Sequence, residues 1–244
     1  MKKRILAVFL ALGMLACLLS ACGGATNQTS KSSDETSASS GQNSVDSEQN
    51  HANEITVGIA QDLDDSLDPY QMTAAGTREV MFNVFEGLVK PDSDGNFVDA
   101  VASEHSVSDD QLTYTFTLRD GVVFHNGAEC TVDDVLYSFE TCAATTVNSA
   151  VAEALSAIVD TKTEGNQISF TLSAPNSDFI SYVSNVYIVP KDYAEQATQP
   201  VGTGPFKYVS RSVQENVVRE KNADYYGEQA KLDKVTYKIF EDNT

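Results

Sequence analysis

The sequence predicts a mixed α/β (α+β) fold, and three observations carry that expectation. Leu112–Leu118, LTYTFTL, alternates apolar residues with threonine without a break, the period-two pattern of a half-buried strand. Ile55–Ala60 alternates in the same way, and Ile168, Phe170 and Leu172 mark another strand able to pair with Leu112–Leu118. Phe124–Glu140, FHNGAECTVDDVLYSFE, instead runs from a turn through a helix cap into an amphipathic helix. Asn126-Gly127 is a turn dipeptide, and Thr131 stands three residues before Asp134, an S/T-x-x-D/E start signal. Val132, Val135, Leu136 and Phe139 then follow at i, i+3, i+4 and i+7, one face of a helix.

Taken in order, the chain opens with Met1-Lys2-Lys3-Arg4, a basic start, and an apolar or small run from Ile5 to Leu19. At ~1.5 Å per residue the run reaches ~22 Å, short of the ~30 Å hydrocarbon core, so residues 1–21 are expected to be a signal peptide. Leu19-Ser20-Ala21-Cys22-Gly23 has the form of a bacterial lipobox, with Cys22 the acylated residue and new N-terminus. Acyl chains add ~0.8 kcal/mol per buried methylene, so Cys22 is expected to tether an exported protein to the membrane. Residues 22–53 are mostly Ser, Thr, Asn, Gln, Asp, Glu and Gly, with no Phe, Tyr or Trp and a single Val45, a composition that cannot offset chain entropy and predicts a disordered tether.

Folded structure is expected over 54–244. After the Ile55–Ala60 strand, four aspartates crowd Gln61–Tyr70, but the Gly and distal Glu of an EF-hand loop are missing, so no metal is assigned there. Met81, Val84, Phe85 and Leu88 share one helical face, and Pro91–Asn96 reads as a tight turn before a short extended piece. Helices are expected over 150–159 and 176–186, and strands over 206–210, 215–219 and 234–240. Between them Pro200-Val201-Gly202-Thr203-Gly204-Pro205 forms a rigid, sharply turning loop.

The formal net charge is −19 and becomes −22 once Lys2, Lys3 and Arg4 leave with the signal. Such a chain gains no counterion release from phosphates, which excludes nucleic acid and anionic lipid as partners. Of four cysteines, Cys17 leaves with the signal and Cys22 carries lipid. Cys130 and Cys142 flank one predicted helix ~18 Å apart along its axis, too far for a disulfide, and are expected to be buried thiols. The three histidines, His51, His105 and His125, have no partners at metal-ligand spacing, and no Walker, G-x-S-x-G, G-x-G-x-x-G or H-E-x-x-H pattern occurs. Nothing supports an enzyme, a cofactor or a metal.

Three blocks in fixed order point elsewhere. They are Ser66-Leu67-Asp68-Pro69 with Val84-Phe85-Glu86-Gly87-Leu88-Val89; the Phe124–Glu140 stretch; and Pro200–Phe206 with Asn222-Ala223-Asp224-Tyr225-Tyr226-Gly227. From Ile55 to Thr244 the chain resembles the N-terminal half of an extracytoplasmic solute-binding protein of the peptide/nickel type. These are the family-five, oligopeptide- and dipeptide-binding receptors of ATP-binding-cassette importers. It departs from that pattern at Val132, where alanine is usual, and at Cys130, a variable position. The resemblance implies the first lobe of a bilobal periplasmic-binding-protein-like fold (type II, class C). Residues 54–78 and 200–244 would then belong to the ligand-bearing lobe and 79–199 to an inserted accessory domain. Family members are about twice as long, so a fragment lacking the second lobe is expected, with no peptide affinity in residues 54–244 alone.

By the same resemblance, two lobes close on a peptide or other small solute and deliver it to permease subunits of the importer, the receptor acting as a monomer. The first-lobe contacts would come from the loop beginning Gln71, Met72, Thr73, Ala74 and Ala75 and ending at Gly76, and from Gly202, Thr203 and Gly204, up to Pro205. A structural turn is the other reading of each loop. Nickel chelates, haem or sugars are alternative solutes within the fold, and a surface adhesion or signalling lipoprotein is the alternative outside transport.

Overall fold

A computed structural model describes residues 53–240. The signal peptide, Cys22 and most of the tether lie outside the described residues. The chain runs β1 (Glu54–Ile59), α1 (Ala75–Met81), the short ribbon β2 (Val89–Pro91) and β3 (Phe97–Asp99), then β4 (Ala102–Val107) and β5 (Thr113–Leu118). There follow α2 (Val132–Ala144), α3 (Ser149–Ser156), β6 (Ile158–Glu164), β7 (Gln167–Leu172), α4 (Phe179–Val183), β8 (Phe206–Ser212), β9 (Asn216–Lys221) and β10 (Lys234–Ile239).

Apart from the β2-β3 ribbon, the strands of the described residues sort into two four-stranded sheets. One, in the order β4-β5-β7-β6, is antiparallel throughout and drawn from the middle of the chain. Tyr114, Phe116 and Leu118 of β5 and Ile168, Phe170 and Leu172 of β7 are its buried face. There α2 lays Val135 and Phe139, with Phe139 stacked on Phe170 at 4.4 Å between ring centroids. The other sheet, β1-β10-β9-β8, joins the two ends of the described chain: β1 pairs in parallel with β10, from Glu54 opposite Lys234 to Ile59 opposite Ile239. One continuous set of buried apolar residues runs beneath both sheets, from Leu63 to Val217.

The helix start at Thr131 forms as expected. The Asp134 carboxylate accepts the Thr131 N–H at 2.8 Å and the Thr131 hydroxyl at 2.7 Å, and its other oxygen accepts Lys191 N–H at 2.9 Å. Asn126-Gly127 makes the expected turn, with Gly127 at φ +84°, where a side chain would be strained. Cys130 and Cys142 are free and buried, and burial raises both thiols, Cys142 to about 11.

Three expectations need correction, and one strand was not expected. The helix around Met81–Leu88 lies earlier, at Ala75–Met81, because the carbonyls of Asn83 and Val84 accept Phe206 and Gly204 N–H instead of continuing it. The helix expected over 150–159 stops at Ser156, and Ile158–Glu164 is a strand. That strand lies at the sheet edge and is exposed on both faces, so no alternation marks it. The helix over 176–186 shrinks to Phe179–Val183. Strand β4, polar apart from its ends, was not anticipated.

Candidate functional site

The expected contact residues lie in the segment that leaves β1 and returns at α1, pinned by its own aspartates, by Arg78 of α1 and by Arg211 of β8. Asp64 accepts Thr73 N–H at 2.7 Å and Ala74 N–H at 2.8 Å, while its own N–H donates to Thr77 Oγ1. Burial alone would raise the Asp64 carboxyl, but these N–H groups and Arg78 hold it below the usual range. Arg78 donates to the Met72 and Thr73 carbonyls at 3.2 and 3.0 Å. From β8, Arg211 donates to the carbonyls of Leu63 and Asp64 and pairs with Asp62 at 3.0 Å. Asp62 also accepts Leu63 and Gln214 N–H, and Asp68 accepts Tyr70 N–H. Asp62, Asp64 and Asp68 thus face backbone donors, and among the described residues no group of three or more His, Cys, Asp or Glu could hold a metal ion.

Gln71, Thr73, Ala74, Ala75 and Gly76 are exposed on this arc, and Met72 is buried. Ala75 and Gly76 belong to α1 rather than to a loop. Ala74 and Gly76 also border a cavity of about 430 Å³ against the end of β1, with Ile59, Asp62, Glu79 and Tyr237 among its other walls.

The glycine loop is placed differently. Gly202, Thr203 and Gly204 are buried, and the backbone N–H and C=O groups of both glycines are taken within the chain. Gly204 N–H donates to Val84 O at 3.0 Å, and Asn222 Nδ2 donates to Gly204 O at 3.0 Å. His125 reaches in from the Asn126-Gly127 turn: its Nδ1 faces Gly202 N–H at 3.3 Å and its Nε2 faces Gly204 O at 2.9 Å. A Cβ on Gly202 would stand 2.2 Å from Val84 O, and one on Gly204 would stand 2.3 Å from Asn83 O. Gly202, Thr203 and Gly204 thus lie packed inside the chain.

Sequence reasoning passed over a second junction. Glu86, buried in Val84–Val89, accepts the hydroxyls of Tyr225 and Tyr226 and pairs with Lys90 at 2.7 Å. Burial and the Glu86 charge push the Tyr226 phenol far up, while Arg119 lies over its ring at 5.2 Å. Tyr226→Phe is expected to lower stability by about 1.5 kcal/mol, the range of a hydrogen bond to a charged acceptor. A urea midpoint that falls with an unchanged slope would show it, and an unmoved midpoint would mean that water serves Glu86 equally well. Val84–Val89, the Phe124–Glu140 stretch and Pro200–Phe206 with Asn222–Gly227 meet at these two junctions.

With that geometry in hand, likeness to known proteins identifies the fold. Residues 96–244 match the bacterial extracellular solute-binding proteins, family 5 (middle). Glutathione-binding protein GsiB of Pectobacterium atrosepticum is 30% identical over 189 residues, covering 73% of this chain and 36% of that protein. The nickel-binding periplasmic protein of Escherichia coli K12 is 28% identical over 171 residues, covering 66% of this chain and 33% of that protein. Among solved structures, the periplasmic binding protein DppA from Helicobacter pylori, in complex with peptide STSA, superposes with a TM-score of 0.68 at 29% identity. That match covers 78% of this chain and 43% of the other. The chain thus spans about a third of the length of the curated relatives it matches. It belongs to the bacterial extracellular solute-binding proteins of family 5.

Proposed function

We propose that this chain is the first-lobe portion of a solute-binding lipoprotein that captures oligopeptides or dipeptides for an ATP-binding-cassette importer and hands them to its permease subunits. The observation that carries the site assignment is the exposed arc Gln71, Thr73, Ala74 and Ala75, held rigid by Asp64 and Arg78 beside the 430 Å³ cavity. A pinned arc loses little conformational entropy when a solute lands on it. Residues 54–78 and 200–244 form the ligand-bearing lobe in this reading, and 79–199 the accessory domain. Cys22 carries the lipid that holds the protein, a monomer, on the outer side of the membrane. The protein binds and releases without chemistry.

A glutathione-binding relative and a peptide-bound neighbour favour peptides, and the nickel-binding relative makes a nickel chelate the second reading. Mass spectrometry of solute released from protein purified from the cells that make it tests both. Short peptides are expected, and nickel chelates or sugars alone would overturn the peptide reading. In the same protein, Ala74→Arg is expected to weaken solute binding at least 10-fold with an unchanged melting temperature. Unaltered affinity would remove the arc from the site. Acyl labelling should be lost in Cys22→Ser.

A further inference from the structure

His125 sits where the two sheets of the fold meet. Its turn follows β5 of the central sheet, and its ring closes on the loop that leads into β8 of the other sheet. Besides the ring contacts, His125 N–H donates to Gly202 O at 2.9 Å, so one residue makes three hydrogen bonds to that loop. The arrangement sets the tautomer. Nδ1 faces an N–H and must accept, so it carries no proton; Nε2 faces a carbonyl and must donate. A second proton can only go to Nδ1, where it would point at the Gly202 N–H. Val84 O already crowds Gly202, 2.2 Å from where a Cβ would stand.

We infer that His125 is an acid-sensitive clasp between the two sheets: its protonation removes the acceptor of Gly202 N–H and frees the 202–205 loop.

The surroundings of the ring agree. Loop residues 202–205 and the Asn83–Val84 stretch packed against that loop carry no ionisable side chain, and the turn's own ionisable residues are Glu129 and Cys130. From β8, Lys207 is the charged group the ring feels, and it opposes a second positive charge. Burial comes first in holding the imidazole down, to about 4, with the Gly204 carbonyl pulling the other way and Lys207 adding to the depression. The sign follows: a histidine depressed in the closed state and ordinary in the open state stabilises closure fully above pH 6.5 and loses that contribution as pH falls toward 4. The loop-opening equilibrium is therefore expected to rise on the order of 100-fold between pH 7 and pH 4. An extracellular protein meets the acidity of its surroundings directly, so this range is one the molecule can encounter.

Two nuclear magnetic resonance readouts on the whole chain test the clasp. The His125 ring is expected to titrate near pH 4 with Nε2 as the protonated nitrogen of the neutral form. Over the same range the Gly202 and Gly204 amides should lose exchange protection, corrected for intrinsic rate, while β5 and β7 amides keep theirs. In His125→Gln, which has both an acceptor and a donor but no titration, the selective loss should vanish. If that variant does not fold, the wild-type readouts decide alone. Titration near 6.5, the opposite tautomer, or protection lost in β5 and β7 together with the loop would each overturn the clasp.

Discussion

Gly202→Ala is expected to cost about 3 kcal/mol, a large share of the roughly 5–15 kcal/mol that holds a domain folded. The new Cβ would lie 2.2 Å from Val84 O and 2.8 Å from the Phe85 ring. The first of these is backbone, so no rotamer change relieves it. Moving Val84 would in turn break its bond to Gly204 N–H, so the clash spreads to the neighbouring contact. Gly204→Ala should behave similarly against Asn83 O. Gly76→Ala makes the comparison sharp, because nothing lies within 4 Å of the place its methyl would take and it sits in α1. That change should stabilise by about 0.5–1 kcal/mol through helix propensity and reduced freedom of the unfolded chain. Urea denaturation of the three variants checks the set. Equal midpoints for Gly202→Ala and Gly76→Ala would mean that the loop accommodates a side chain, contrary to the packing described.

Replacing Arg219 by methionine is expected to move stability the other way, upward by about 1–4 kcal/mol. Arg219 is 1% exposed on β9, between the rings of Phe206 and Tyr237. One guanidinium nitrogen donates to the Tyr237 hydroxyl, while Nε and the other terminal nitrogen have no partner. Burial, only partly offset by Tyr237, holds its pKa below the ordinary arginine value, so the charged form is stabilised less here than in water. Methionine keeps an unbranched apolar stem of similar reach and removes the unpartnered donors. A higher melting temperature is the expected reading. A fall of several degrees would mean that the two aromatic contacts outweigh desolvation.

Neither effect could be read from the sequence, and the reason differs in each case. Arg219 occupies an apolar position in an alternating strand, where a charged residue is ordinarily taken for the solvent side. Gly202 and Gly204 announced a turn, but only the fold reveals that Asn83 and Val84 lie against them, more than a hundred residues earlier. Patterns confined to a few neighbouring residues were legible: the Thr131 cap, the Asn126-Gly127 turn, and the alternation of β5 and β7. Of the arc, Gln71, Thr73, Ala74 and Ala75 are exposed. Its supports, Arg78 and Arg211, were not anticipated, because an arginine that holds carbonyls leaves no spacing signature. His125 looked like a histidine without partners because its partners are backbone atoms of a distant loop.

The parallel pairing of β1 with β10 has a consequence for the order of events at birth. The central sheet needs nothing beyond Leu172 to complete its four strands. The other sheet sets Glu54 beside Lys234, so its first strand must wait for its last. Synthesis at roughly 5–20 residues per second makes that interval on the order of ten seconds. Through it the β1 edge, with Ile55 and Val57, has no strand to pair with and is open to association with other chains. Long-range closure of this kind is also intrinsically slow. Until that pairing forms, it is the β1 edge that a holding chaperone would have most to protect.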